Sequence, residues 1–218
     1  MNPTEIVINE DSGDTNFRVE SNGNANMLFV DGGNDRVGIG TSSPSSIIHA
    51  ETTTGAELIL SRNDTSIAVD DLIGGIQFKA NDASSSPDPQ ICGIKAISTG
   101  ATNTNPRLDF FAGESNYSAN TPNMVIDSSG NVLVGKTASM YFVDGVTLHS
   151  GGGQFSNTND FEMIVNRNGN DGTLVEFRQA TVLEGTISVS GSTVSYNGFT
   201  GTHWSRFQNN STPTILRG

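Results

Sequence analysis

The chain has a single cysteine, Cys92, in 218 residues, so no disulfide can close within it and no paired-cysteine metal site can form. Flanked by Ile91, Gly93 and Ile94, that thiol reads as a small apolar side chain buried in a strand, the alternative being a reactive or interchain thiol. Positive charge is scarce. Against 23 Asp and Glu there are 11 Lys and Arg, a formal net charge of −12, and no basic cluster exists that would neutralise consecutive phosphates. Nucleic acid is therefore not an expected partner. No apolar run approaches the roughly 20 residues needed to cross a bilayer, so membrane insertion is not expected either. Residues 1–14 are acidic and lack the basic region and apolar core of a secretory signal. An extracellular role would then depend on release by lysis.

Apolar residues make up 34% of the chain, against about 45% in ordinary soluble domains. Charged residues are also few, at 16%. Gly, Ser, Thr and Asn fill the gap. That balance suits short strands joined by many turns rather than a disordered tail, which would couple low hydrophobicity to dense charge. The apolar runs agree: Ile6-Val-Ile8, Phe17-Arg-Val19 and Met27-Leu-Phe-Val30 each end at Gly, Asn or Asp within a few residues. No window has a convincing helical period. The nearest, Ser42 to Ala50, opens Ser-Ser-Pro and is expected to carry at most one short helical turn. Loops are expected at Ala80 to Gln90, where Pro87 and Pro89 forbid ladder pairing, at Thr99 to Pro106 and at Gly113 to Pro122, with a strand at Arg107 to Ala112.

Compared with itself at an offset of roughly 100 residues, the chain repeats. Phe29-Val-Asp-Gly-Gly-Asn-Asp-Arg-Val-Gly-Ile-Gly40 answers to Val125-Ile-Asp-Ser-Ser-Gly-Asn-Val-Leu-Val-Gly135. Then Ile47-Ile-His49 answers to Val146-Thr-Leu-His149, and Glu57 to Asn63 to Phe161 to Asn168, both leading to Arg-Asn. Ile76 to Lys79 matches Val175 to Arg178, and Gly93 to Ser98 matches Gly185 to Ser190. The expected organisation is an N-terminal strand or attachment segment at 1–26, β-modules at 27–122 and 123–195, and an aromatic cap or junction at 196–218.

In the repeated block Asp31, Gly33, Asp127, Gly130 and Asn131 supply turn chemistry that tolerates positive φ. Val37, Gly38, Ile39 and Gly40, with Val132, Val134 and Gly135 in the second repeat, then lay a short strand closed by glycine. Such a strand buries too little apolar area to offset about 1–2 kcal/mol of backbone entropy per ordered residue. Three parallel chains presenting the same Val, Ile and Phe positions to a common axis would complete the core and pair the exposed edges. A monomeric sandwich is the alternative.

The segment Met27 to His49, with Val37-Gly-Ile-Gly-Thr-Ser-Ser-Pro44 at its centre, closely resembles a motif recurrent in phage tail fibres of the marine and cyanobacterial type and in related bacterial surface proteins. Met124 to Thr137 resembles the same motif, departing from it at Lys136 and Ala138-Ser-Met140. The resemblance implies an all-β, elongated, intertwined homotrimeric fibre with β-prism or triple-β-helix-like modules. It further implies a virion location, with other tail or capsid proteins and a host cell-surface glycan or protein as partners. The stretch Tyr196 to Phe207 through Gly218 resembles the passage leading into C-terminal regions of similar fibres, some of which carry a self-cleaving trimerisation chaperone. No chaperone residue has a match here.

Chemistry-bearing residues are sparse. His49 and His149 end apolar strands at equivalent repeat positions, and a trimer would gather three copies of either on its axis; with His203 they otherwise read as polar residues of ordinary role. Asp31 to Asp35 and Asn168 to Gly172 are oxygen-rich but lack the full acidic series of a calcium loop. Asp70, Asp71, Asp109, Glu114 and Glu176 are the carboxylates a polysaccharide-cleaving spike would draw on, none framed by a motif. Gly151-Gly-Gly153 lacks the Lys and Ser/Thr of a phosphate loop. No cofactor is implied, and the reading is non-enzymatic, with a depolymerising tailspike or a bacterial adhesin as alternatives. Tyr196, Phe199, His203, Trp204 and Phe207 form the aromatic group expected to cap the molecule or contact a host glycan.

Overall fold

The computed structural model describes residues 8, 11, 13–80, 90–100, 105–160 and 163–198, the side chains of Gln90, Glu114 and Ser115 apart. The chain is nearly all β, as expected: fourteen strands and one six-residue helix among the described residues. Contacts group it into two compact units, Met1–Ser66 with Leu72–Gly75, and Ile67–Asp71 with Ile76–Gly218.

The first sheet runs β1 (Phe17–Ser21), β2 (Asn24–Asp31), β3 (Arg36–Ile39) and β4 (Ile48–Ala50) in sequence order. Asn22-Gly23 turns β1 into β2, and β2 pairs antiparallel with β3 at Phe29↔Gly38. β4 then lies parallel to β3, Gly38 opposite His49. The Ser42 to Ala50 segment is thus not helical. Arg36 donates from Nη1 to the Pro44 carbonyl (2.9 Å), and Val37 N donates to Ile47 O (2.8 Å), which ties the connection back along β3 in an extended path.

The second sheet orders β11-β10-β9-β8-β7-β6-β5. Its strands are β5 (Leu72–Ala80), β6 (Gln90–Ile97), β7 (Arg107–Phe111), β8 (Met124–Ile126), β9 (Val132–Val134), β10 (Gly145–His149) and β11 (Gly152–Ser156). Its registers stack one transverse row: Lys95↔Asp109, Asp109↔Val125, Val125↔Leu133, Leu133↔Thr147 and Thr147↔Gln154. The middle four are fully buried, so this row is the axis of the core. The stretch 113–123, read from sequence as a module boundary, lies inside this sheet between the paired strands β7 and β8.

That stretch also holds the helix, α1 (Glu114–Ala119), where only a loop was expected. Its anchor is Tyr117, packed edge-on to Phe111 at 5.5 Å and lying 3.9 Å from Lys95 Nζ. The helix ends at Asn120 in the left-handed conformation, and Thr121 N donates to Asn116 O (2.9 Å). One aromatic docking on a sheet suffices to hold a single turn and a half that has no amphipathic period to read.

The third sheet is β12 (Gly172–Gln179), β13 (Val182–Ser190) and β14 (Thr193–Asn197). Equivalent strands of the two repeats pair alike: β5 with β6, and β12 with β13. Expected features at Ile6 to Ile8 and in the loop 81–89 fall outside the described residues, apart from Ile8, which is not in a strand. Cys92 is exposed rather than buried, because strand alternation turns its neighbour Gly93 inward instead.

Candidate functional site

The repeated block is a hairpin in both places, β2–β3 and β8–β9. Each turn is held by one carboxylate. Asp31 Oδ1 accepts from the amides of Gly33 and Asn34 (both 3.2 Å), and its Oδ2 from Asn34 Nδ2 (3.0 Å). Asp127 does the same with Ser129 N, Asn131 N and Asn131 Nδ2, all at 2.9 Å. Positive φ falls on Asp35 in the first turn and on Gly130 in the second, so Gly33 is not there for that reason. The closing glycines Gly40 and Gly135 both take positive φ (82° and 74°). Their amides return to Asn26 O (2.8 Å) and Asn123 O (3.0 Å), which extends the repeat back to an Asn-Met pair.

The inward face of each hairpin is not the one its apolar spelling suggests. Phe29 pairs with Gly38 and Val125 with Leu133, and these are the buried positions. A Cβ at Gly38 would collide with the Thr41 carbonyl, so the glycine lets the Thr41 backbone approach β3 closely. By alternation Val37, Ile39, Val132 and Val134 face the other way, and Ile39 and Val134 remain 47% and 43% exposed. After the hairpins the two repeats part. Lys136, buried where Thr41 stands in the first repeat, donates from Nζ to the carbonyls of Met140 and Val143 (3.3 Å each), and β10 returns antiparallel where β4 ran parallel.

The third sheet has two chemically distinct faces. Val175, Ile187 and Tyr196 form one row, Gly172, Val189 and Val194 the next, with Phe177 opposite Gly185 beside them. The opposite face carries Glu176, Thr186 and Asn197, then Thr173, Ser188 and Ser195; Asn197 Nδ2 donates to Thr186 Oγ1 (3.1 Å) and Ser188 Oγ (2.9 Å). Yet no residue from 163 to 198 is buried. An apolar sheet face of this kind ordinarily packs against something.

Ahead of β5 and β12 the matched segments Glu57 to Asn63 and Phe161 to Asn168 form no strand in their described residues. Each instead leads to an arginine that folds back. Arg62 donates from Nε and Nη2 to Asp64 Oδ2 (3.1 and 2.7 Å) and from Nη1 to Leu72 O (3.5 Å). Arg167 donates from Nε to Asn170 O (2.9 Å) and lies against Gly172, where a Cβ would come 2.8 Å from its Cζ. Asp64 has its pKa lowered from the ordinary 3.8, first by the Ser66 amide and then by Arg62.

The titratable candidates among the described residues are engaged structurally; the Glu114 side chain and His203 lie outside them. His49 Nδ1 accepts from Ser45 N (3.3 Å) and His149 Nδ1 from Gly151 N (3.1 Å), local strand-end contacts in strands of different topology. Arg107 bridges Asp109 (2.9 Å) and Asp70 (3.2 Å); Asp71 accepts from Ala68 N, and Glu176 pairs with Arg178. Asn170 receives Arg167, while Asp171 receives Ser190 Oγ (3.0 Å) and Gly191 N (2.8 Å), so these oxygens serve turns. No group of three or more metal-binding side chains occurs among the described residues. Lys95 Nζ sits over the Phe111 and Tyr117 rings and donates to Tyr117 O (2.9 Å); burial pulls its pKa down, partly countered by Asp109.

Of the aromatic group expected as a cap, Tyr196 is 68% exposed on the apolar face of the third sheet, and Phe199, His203, Trp204 and Phe207 lie outside the described residues. A different aromatic cluster, missed from sequence, lines an open cleft of about 390 Å³: Tyr141 and Phe142, both 83% exposed, with Phe155, Asp144, Asn157 and Thr158. The loop carrying it is braced from below by Lys136 and by Ser156 Oγ donating to Tyr141 O (3.0 Å). The adjacent Tyr141-Phe142 pair ahead of the Asp144-Gly145 turn was the available signal. Comparison with known protein families, with characterised proteins and with solved structures gave no match.

Proposed function

We propose that the chain is a structural segment of a phage tail fibre or related virion appendage, working as a homotrimer that contributes to attachment at a host surface. The observation that carries this reading is the third sheet: a face of Val175, Ile187, Val189 and Val194 with no buried residue from 163 to 198. A three-stranded sheet needs its apolar face packed to be stable. Copies of the same chain around a common axis would cover that face and leave the polar face, with its Asn197 and Glu176 contacts, to solvent. The outward Ile39 and Val134 of the repeated hairpins fit the same arrangement.

The resemblance of Val37 to Pro44 to fibre motifs supplies the virion context, and the net charge of −12 favours a soluble surface between such contacts. Carboxylates available for polysaccharide cleavage, Asp70, Asp109 and Glu176, are tied to arginines, which favours a non-enzymatic role over a depolymerase. Attachment is assigned to the braced aromatic loop at Tyr141 and Phe142, since recognition usually sits on loops held by a rigid scaffold. Sedimentation of the purified chain should give three times its 22.9 kDa mass. A monomer at all concentrations would rule the reading out. Antibody labelling of intact particles tests the location.

A further inference from the structure

Beneath α1 the second sheet presents a small box of side chains. Pairing sets Gly93 opposite Phe111 and Lys95 opposite Asp109, and strand alternation puts all four on one face. Gly93 makes space there: a Cβ would come 2.8 Å from Tyr117 Cε2 and 2.6 Å from the Ile76 carbonyl oxygen. Tyr117 fills that space, and Lys95 Nζ lies 3.9 Å from its ring and 4.6 Å from that of Phe111. Asp109 is fully buried and held by Arg107 at 2.9 Å. The lysine donates to the Tyr117 carbonyl (2.9 Å) and to the side-chain carbonyl oxygen of Asn120 (3.2 Å). Asn120 closes α1 in the left-handed conformation, and the last turn of that helix has no basic residue of its own. A bond from Lys95 to the Tyr117 carbonyl is ordinary helix capping. The bond to Asn120 has more in it, because it brings an amine against an amide carbonyl, walled by rings and facing a buried carboxylate.

We infer that Lys95 and Asn120 are the partners of a self-formed isopeptide bond, which ties β6 to the end of α1 within one chain. Asp109 takes a proton from the lysine ammonium and frees its lone pair. Nζ then attacks Asn120 Cγ, and the new N–C bond replaces the bond from Cγ to Nδ2. Asp109 returns its proton to Nδ2, the amine gives up a second one, and the leaving nitrogen departs as ammonium. Charge balances, nothing is oxidised or reduced, and no co-reactant is needed. Nζ already touches the oxygen bonded to the carbon it attacks. Groups held at such range react as if present at about 10⁵ M or more, which is what an otherwise inert amide requires. Burial pulls the Lys95 pKa down against the opposing effect of Asp109, and so raises the share of free amine. The product would anchor a helix too short to hold itself. Because the bond lies within one chain, it is independent of how many copies associate.

Mass spectrometry of the full purified chain, kept folded at neutral pH and then denatured, is the test. The chain should weigh one ammonia less than its sequence. Trypsin should no longer cut after Lys95, and peptide 80–107 should emerge joined to peptide 108–136 through Lys95 and Asn120. Lys95→Arg keeps a cation over the rings but has no amine to donate, so it should keep its full sequence mass and release its peptides separately. Full sequence mass in the parent chain would leave Lys95 a helix cap and overturn the inference. Loss of ammonia without the joined peptide would overturn it too, since ring closure at an Asn-Gly pair such as Asn22-Gly23 gives the same loss. A Lys95→Arg chain still lighter by one ammonia would count the same way.

Discussion

Replacing Val194 by Thr separates a covered sheet face from a bare one without altering the strand. Threonine matches valine in shape and strand preference, so the isolated chain should change by no more than about 0.5 kcal/mol. Val194 lies beside Val189 in β14 and is 51% exposed in the single chain. If neighbouring copies cover it, the new hydroxyl is buried among apolar side chains at a cost of about 1–3 kcal/mol per copy. Three copies raise that to about 3–9 kcal/mol per trimer, or about two to six decades in the association constant. Sedimentation equilibrium over a concentration series reads the shift, and far-ultraviolet circular dichroism confirms that the sheet persists. Thr193→Val, the neighbouring residue on the polar face, is the control and should leave association unchanged. Association of Val194→Thr within about threefold of the parent, roughly 0.7 kcal/mol, would refute the covered face.

Ala180 and Thr181 turn β12 into β13 with φ of 45° and 73°, conformations that non-glycine residues adopt at a cost. Ala180→Asn with Thr181→Gly should stabilise that hairpin by about 1–2 kcal/mol in denaturant melts. Thr147 Oγ1 is buried without a hydrogen-bond partner among the described residues, so Thr147→Val should raise the melting free energy by about 1–2 kcal/mol; a loss of similar size would show that the hydroxyl is satisfied. Asp64 contributes stability above its ordinary pKa of 3.8 and loses it as pH falls through its own lower value, because its folded pKa is depressed. The Arg62 fold-back should accordingly hold at neutral pH and open only as pH falls through that depressed value, seen in the Arg62 Nε–H resonance, and Asp64→Asn should abolish the step.

Much of the local structure was legible. Turn signals at Asp31 and Asp127 marked two hairpins because a carboxylate followed by Asn closes a turn using only neighbours in sequence. The match of Ile76 to Lys79 with Val175 to Arg178 marked equivalent paired strands, since period-2 spelling survives divergence. Tyr141 and Phe142 escaped notice because their prominence depends on Lys136 and Ser156 bracing the loop beneath them, a contact without a sequence signature.

By itself, then, the sequence determined a chain of short strands and carboxylate-closed turns, used twice, with too few apolar residues for an ordinary core. Tertiary structure decided which side of each strand is inside. The inward partner of Phe29 is Gly38, and the Val and Ile that make the motif recognisable stay on the outer face, because pairing register fixes facing and one-residue shifts exchange the two faces. It also decided that matched segments need not share an outcome. β4 and β10 run in opposite senses beside equivalent strands, since Arg36 holds one connection to the Pro44 carbonyl and Lys136 holds the other to Met140 and Val143. Those are long-range choices of hydrogen-bond partner, settled by packing and not by local pattern.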